Sequence, residues 1–183
     1  LEESVEAIYS EAVRMKGMTN QMLLLANSSA EWSLETNESD LVRLCQVTAE
    51  QLEKTYARNF RVITDEEKIV VNIDEQKIKQ VLVVLLDNAM KYSKDSIDLT
   101  VGIQKEKVFF SIQDYGMGIP KEDIQKVFDR FFRVDKARSR ETGGTGLGLS
   151  IAKQIIDAHE GDIQLESEEG KWTKVTVNLP HFS

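Results

Sequence analysis

Residues 141–150, Glu141-Thr-Gly-Gly-Thr-Gly-Leu-Gly-Leu-Ser150, crowd four glycines into positions 143–148 and run straight into IAKQIIDAH, an apolar-periodic segment. Each glycine loses more backbone entropy on folding than any other residue, so something should want bare amides just before this helix. Three readings stand: a flexible hinge, a tight structural turn, or a phosphate cradle at a helix N-terminus, where unpaired N–H groups meet the positive end of the macrodipole. A Walker P-loop is excluded, because no Gly-Lys-Ser/Thr ends the run. In a dinucleotide-binding turn the glycines follow a strand directly, whereas here a charged loop precedes them. A protein kinase would need a strand after its glycines and catalytic-loop motifs that this chain lacks.

That charged loop holds Arg130, Arg133, Lys136, Arg138 and Arg140, in a chain whose formal net charge is −8. The acidic balance argues against nucleic-acid binding, and a local basic cluster beside bare amides points to an anionic ligand. With 183 residues, 41% hydrophobic and 30% charged, the chain suffices for one ordinary domain with a buried core. Its longest apolar run, Val81-Leu-Val-Val-Leu-Leu86, falls far short of the roughly 20 residues that span a bilayer, so no membrane contact is expected of this stretch. The opening Leu1-Glu-Glu-Ser-Val has neither basic head nor apolar stretch and does not read as a secretory leader. One cysteine, Cys45, excludes an internal disulfide and makes a reducing compartment the simplest home.

Working outward, Leu1, Val5, Ile8, Ala12, Met15, Thr19, Met22 and Ala26 alternate spacings of four and three, the seam of a helical bundle over residues 1–30. A polar connector follows, in which Asn37 or Ser39 is expected to cap the next helix. Leu41, Leu44, Cys45, Thr48, Leu52 and Tyr56 give that helix its apolar face. Residues 60–64 and 68–72 read as a hairpin. Asp74 caps a further helix with Ile78, Val81, Leu82, Leu85, Leu86 and Ala89 inside. Strands at 97–104 and 108–114, a loop with a short helix, the helix at 147–159 with Gly161 as C-cap, and strands at 162–167 and 172–179 complete the pattern. The fold class is α+β: a two-layer α/β sandwich, a mixed sheet with three helices on one face, preceded by a long bundle helix.

Two further segments carry chemistry. Asp114-Tyr-Gly-Met-Gly-Ile119 ends a strand with a carboxylate and then two glycines. An ionised carboxylate only accepts hydrogen bonds, which suits the amino group of adenine better than the carbonyl of guanine; a plain turn is the competing reading. In Leu86-Asp-Asn-Ala-Met-Lys-Tyr-Ser93, the residues Asn88, Lys91 and Tyr92 share one part of the helix surface. An amide oxygen can ligate Mg²⁺, a lysine can meet phosphate and a tyrosine ring can pack on a base.

Taken together, LLDNAMKYS, DYGMGI, FDRFFR and GGTGLGL resemble, in order and spacing, the N box, first glycine box, F box and second glycine box of sensor histidine kinases, within the group that includes gyrase-type and heat-shock-chaperone ATPases. The resemblance implies residues 1–30 as the second helix of a dimerisation bundle, 31–36 as a linker and 37–183 as an ATP-binding catalytic domain. It implies ATP and Mg²⁺ as cofactors: Asn88 as the metal ligand, Lys91 on phosphate, Tyr92 beside adenine, and Asp114 on the adenine amino group. Gly116 and Gly118, with Ile119, would border the nucleotide. Gly144, Thr145, Gly146, Leu147 and Gly148 would hold the phosphates. Residues 133–143 correspond to the ATP lid, and Arg130 and Arg133 would contact phosphate or anchor that lid. The implied activity is transfer of the γ-phosphoryl of ATP to a bundle histidine and onward to a response-regulator receiver domain. The implied setting is a homodimer in the intact protein, the cytoplasmic portion of a membrane-bound sensor kinase.

Two departures sharpen this expectation. One turn before Asn88 the family carries a second Asn, or in the ATPases a Glu that activates water; here Val84 stands there. Valine can do neither, which favours a kinase over an ATP-hydrolysing machine, since an acceptor imidazole is itself a nucleophile. The chain's two histidines, His159 and His181, do not lie on a bundle helix, so the phosphoacceptor is expected upstream of residue 1. A nucleotide-binding or scaffold module without kinase activity is the remaining alternative.

Overall fold

The computed structural model describes residues 33–56, 58–105, 107–134 and 145–180. The bundle helix expected over 1–30, most of the expected lid, Gly144 and His181 lie outside the described residues.

Among the described residues, seven strands and three α-helices follow in the order β1 (Asn37–Asp40), α1 (Leu41–Tyr56), β2 (Phe60–Ile63), β3 (Val70–Ile73), α2 (Glu75–Tyr92), β4 (Ile97–Gln104), β5 (Lys107–Asp114), α3 (Gly148–Ala158), β6 (Asp162–Glu168) and β7 (Trp172–Pro180), with a short 3₁₀ turn at Ile124–Lys126. The main sheet has five strands in the order β2-β4-β5-β7-β6, with only β2 and β4 running parallel. Alternate residues of each strand point into the helix layer. Leu99, Val101, Phe110, Val177 and Leu179 are buried there against Ile78, Leu82, Leu85, Ile151 and Ile155 of α2 and α3. Among the described residues the opposite face carries no helix, and on it the ring of Phe109 lies across its strand partner Gly102.

Three local expectations are corrected. Segments 60–64 and 68–72 do not form a hairpin. Instead, β2 pairs parallel with β4, and β3 pairs antiparallel with β1 in a separate two-stranded sheet. Val71 and Ile73 alternate inward along β3, but alternation says nothing about which partner a strand takes, and the polar tetrad Asn-Glu-Ser-Asp of β1 has no strand signature. Because residues 37–40 form that strand, Asn37 and Ser39 do not cap α1. The Asp40 carboxylate does so, accepting from Val42 N at 3.1 Å and Arg43 N at 3.4 Å. Tyr56, expected on the apolar face of α1, is 49% exposed at its C-terminus.

Asp74 caps α2 as its sequence position predicts, accepting from Lys77 N at 3.1 Å. The other end of α2 is tied down by Arg58. Its Nη1 donates to the carbonyls of Ser93 (2.8 Å) and Met90 (3.4 Å), and its Nη2 to that of Asp95 (2.7 Å). A guanidinium there meets the negative end of the helix dipole and the orphan carbonyls together. Helix α3 ends in a Schellman motif, with Gly161 N on Ile156 O (2.9 Å) and Glu160 N on Asp157 O (3.0 Å). The left-handed residue is Glu160, at φ 57°, not Gly161. Gly161 is small for another reason: a Cβ on it would stand 2.6 Å from the Asn178 carbonyl oxygen.

Candidate functional site

The fold brings two of the three motifs into direct contact at the C-terminal end of α2. Ile78, Leu82, Leu85, Leu86 and Ala89 bury one face of the helix, which turns Asn88 half outward and leaves Lys91 and Tyr92 exposed. Lys91 Nζ pairs with Asp87 Oδ2 at 2.6 Å, one turn earlier. The Asn88 amide makes no hydrogen bond among the described residues. Beyond Tyr92 the helix abuts the turn after β5, where Met117 N approaches the Tyr92 carbonyl at 3.4 Å.

Asp114, the last residue of β5, is 7% exposed and points to the helix side of the sheet. Its Oδ1 accepts from Gly116 N at 3.0 Å. Burial pushes its carboxyl up to about 6, with the Gly116 amide pulling it partly back. A buried carboxylate with one amide donor and no cation among the described residues keeps unused acceptor capacity. That is the chemistry expected of a group waiting for a ligand's donor.

The glycines of this segment have structural duties. A Cβ on Gly116 would lie within 2.7 Å of the Tyr92 carbonyl carbon. Gly118, at φ 64°, would put a Cβ 2.8 Å from the Glu168 carbonyl carbon. Gly118 and Ile119 run against the β6–β7 turn, where Gly170 N donates to Met117 O (2.7 Å) and Ile119 N to Ser167 Oγ (2.8 Å).

The second glycine segment meets α2 from the other side. Helix α3 begins at Gly148, and a Cβ there would stand 3.1 Å from Val84 Cγ1, one turn before Asn88. Leu147 is fully buried, while no side chain caps the start of the helix. Thr145 Oγ1 accepts from Leu147 N at 3.3 Å, and Gly146 takes φ 72°. The carbonyl of Gly146 accepts from Phe131 N at 2.9 Å, fastening the segment to the aromatic turn that precedes it. On that turn Arg130 is exposed and Arg133 half-buried, each engaged in an interaction of its own.

His159 is buried and bonded at both ring nitrogens. Nδ1 faces the Ile155 carbonyl at 2.8 Å, and Nε2 accepts the backbone N–H of Asp74 at 3.0 Å. With Nε2 accepting, Nδ1 is the donor and the ring is neutral. The ring thereby joins the end of α3 to the start of α2. Sequence reasoning missed Arg58 and a side-chain chain through Arg61, Asp98 and Tyr115, because isolated residues in loops and strands carry no periodic signal.

Among the described residues no helix is long and apolar enough to cross a membrane, and no group of three or more His, Cys, Asp or Glu side chains is arranged to hold a metal ion. The family model described as "Histidine kinase-, DNA gyrase B-, and HSP90-like ATPase" matches residues 73–182. The chain is 47% identical over 98% of its length to sensor histidine kinase YkoH of Bacillus subtilis (strain 168), of which it spans 39%. It is 40% identical over 94% of its length to sensor histidine kinase WalK of the same organism, of which it spans 29%. Among solved structures, the catalytic domain of histidine kinase ThkA superposes with a TM-score of 0.68 at 32% identity, covering 80% of this chain and 96% of that one. Full-length ShkA in complex with AMPPNP shares the fold, with a TM-score of 0.84 at 22% identity over 98% of this chain and 38% of that one.

Proposed function

The chain belongs to the histidine kinase-, DNA gyrase B- and HSP90-like ATPase family, and from that premise we propose that it is the ATP-binding catalytic part of a sensor histidine kinase. In this reading it passes the γ-phosphoryl group of ATP to a histidine on a bundle helix and onward to an aspartate of a response-regulator receiver domain. The observation that carries the reading is Asp114: a buried carboxylate with spare acceptor capacity, set where the end of α2 meets the turn after β5.

Asp114 accepts the adenine amino group, with Tyr92 beside the ring and Gly116, Gly118 and Ile119 along the pocket wall. The uncapped start of α3, with the amides of Gly144, Thr145, Gly146, Leu147 and Gly148, receives the phosphates. Lys91 leaves Asp87 to meet them, and Arg130 and Arg133 add positive charge at the rim. Mg²⁺ fits the half-buried Asn88 amide, whose oxygen has no partner among the described residues. Mg²⁺ accepts a single protein ligand when phosphates and water complete its shell, and there it would neutralise phosphate charge.

The acceptor histidine is not His159, which is buried with both ring nitrogens engaged. Val84 supports phosphoryl transfer over hydrolysis, because the position packs against the core and offers no general base. Residues 1–30 as a bundle helix, 31–36 as a linker, dimerisation of the intact protein and a cytoplasmic setting beneath a membrane-bound sensor belong to the same proposal.

Calorimetric titration with MgATP and GTP, on the wild-type chain and Asp114→Asn, tests it. ATP binding that excludes GTP, vanishes in the variant and proceeds without appreciable phosphate release is the expected result. Steady phosphate release that depends on Asn88 would favour the hydrolytic reading. Absence of any nucleotide binding would leave a scaffold.

A further inference from the structure

The turn that carries Asp114 is held from both faces of the sheet. On the helix side it abuts Tyr92. On the helix-free side Tyr115 donates its hydroxyl to Asp98 Oδ2 at 2.8 Å. Asp98 lies on β4, next to Ile97, the residue opposite Asp114 in the β4–β5 register. Both Asp98 oxygens are also engaged by Arg61, its register partner on the edge strand β2: Nε to Oδ1 and Nη2 to Oδ2, each at 2.7 Å. One buried carboxylate thus gathers β2, β4 and the turn after β5.

This arrangement is poorly explained as a stabilising ion pair. The Arg61 side chain is 63% exposed, and such pairs contribute little. It is well explained as an orienting device, because a bidentate guanidinium fixes the carboxylate plane. Arg61 holds the Asp98 carboxyl below its ordinary range, the Tyr115 hydroxyl adding to the effect, so the acceptor stays charged. Tyr115 is bonded in sequence to Asp114, and the two side chains leave opposite faces of the sheet. Anchoring the Tyr115 ring therefore fixes the peptide plane between them, and with it the turn in which Gly116 N reaches Asp114 Oδ1.

We infer that Asp98, acting through Tyr115 and braced by Arg61, is a positioning residue for base recognition: it sets the direction in which Asp114 presents its carboxylate to the adenine amino group. The inference rests on the nucleotide reading above. None of the three side chains touches the base.

The test titrates the whole chain at about pH 7 with MgATP and with purine riboside triphosphate, which lacks the amino group. Wild type, Tyr115→Phe, Asp98→Asn and the double variant are compared, and the unfolding midpoint of each is measured. Tyr115→Phe removes a single hydroxyl and should weaken ATP binding about 3- to 10-fold, less than the full worth of a hydrogen bond to a charged group, because the loss reaches Asp114 only through the turn. Binding of the purine analogue should stay unchanged, and the double variant should bind ATP no more weakly than Asp98→Asn. A merely structural role would lower the unfolding midpoint and weaken both ligands equally, or neither, which would overturn the inference. Should Asp98→Asn fail to fold, the ATP-to-purine ratio of Tyr115→Phe decides alone. Wild type that binds no ATP brings down the nucleotide reading and this inference with it. Wild type that binds ATP, beside an unchanged Tyr115→Phe, brings down the inference only.

Discussion

The carbonyl of Tyr92 and the α-carbon of Gly116 meet with no room for a methyl group between them: a Cβ on Gly116 would stand 2.7 Å from the Tyr92 carbonyl carbon and 2.9 Å from Asp114 Oδ1. The end of α2 and the turn after β5 therefore form a single surface. The groups assigned to base and metal on α2 move together with the carboxylate assigned to the adenine amino group.

Gly116→Ala should accordingly damage stability and site at once. The obstructing atoms are backbone, which cannot swing aside, so the cost is that of overpacking, about 2–3 kcal/mol. A lowered denaturant midpoint together with lost ATP binding checks this; a variant as stable as wild type would contradict the contact.

The raised carboxyl of Asp114 gives two opposite pH dependences. Its folded value, about 6, lies above the ordinary value of 3.8. The group's contribution to stability is therefore fully present below about pH 4 and is lost as pH rises through about 6. ATP binding needs the ionised acceptor, so affinity should rise over that same interval and level off near about pH 7. Denaturation at several pH values, with Asp114→Asn as the flat reference, reads the first slope, and ATP titration of the wild-type chain over the same values reads the second.

His159→Ala should leave the buried N–H of Asp74 without its acceptor and open a cavity at the junction of α2 and α3. The expected loss is about 2–4 kcal/mol, combining an unsatisfied donor with lost packing. Chemical denaturation measures it. Incubation of the wild-type chain with ATP should leave His159 without acid-labile phosphate.

Glu160 holds the left-handed position that ends α3, a conformation that glycine adopts at little cost. Glu160→Gly should raise stability by about 0.5–1 kcal/mol, the relief of strain being partly offset by glycine's unfolded-state entropy. A higher thermal midpoint with unchanged nucleotide binding is the expected outcome.

Much of this was legible in the sequence where the signal is local. The 3.6-residue period marked the buried faces of α2 and α3, Asp74 announced its own cap, and alternation marked β4, β5, β6 and β7. Partner choice was not legible. Residues 60–63 and 70–73 are close in sequence, yet they join different sheets, because pairing depends on the residues of β1 and β4 rather than on the strands' own pattern. The left-handed residue was misplaced by one position, because glycine is the usual occupant and here it serves a close approach instead. At the site, the motifs offered Asn88, Lys91, Tyr92 and Asp114 as candidates. Arg58 and the Arg61–Asp98–Tyr115 chain depend on residues 17 to 37 positions apart, and nothing in either stretch advertises the other.

The parallel pairing of β2 with β4 also constrains the order of assembly. Strands β4 and β5 are joined by a tight connection and can zip early, whereas β2 must wait until the whole of α2 lies between it and its partner. Until β2 docks, Arg61 is absent from Asp98, and the turn bearing Asp114 lacks its outer brace. Amide hydrogen exchange across Phe60–Ile63 would consequently report more than fraying of an edge strand: it would follow how often the finished recognition surface comes undone while the hairpin beneath it stays folded.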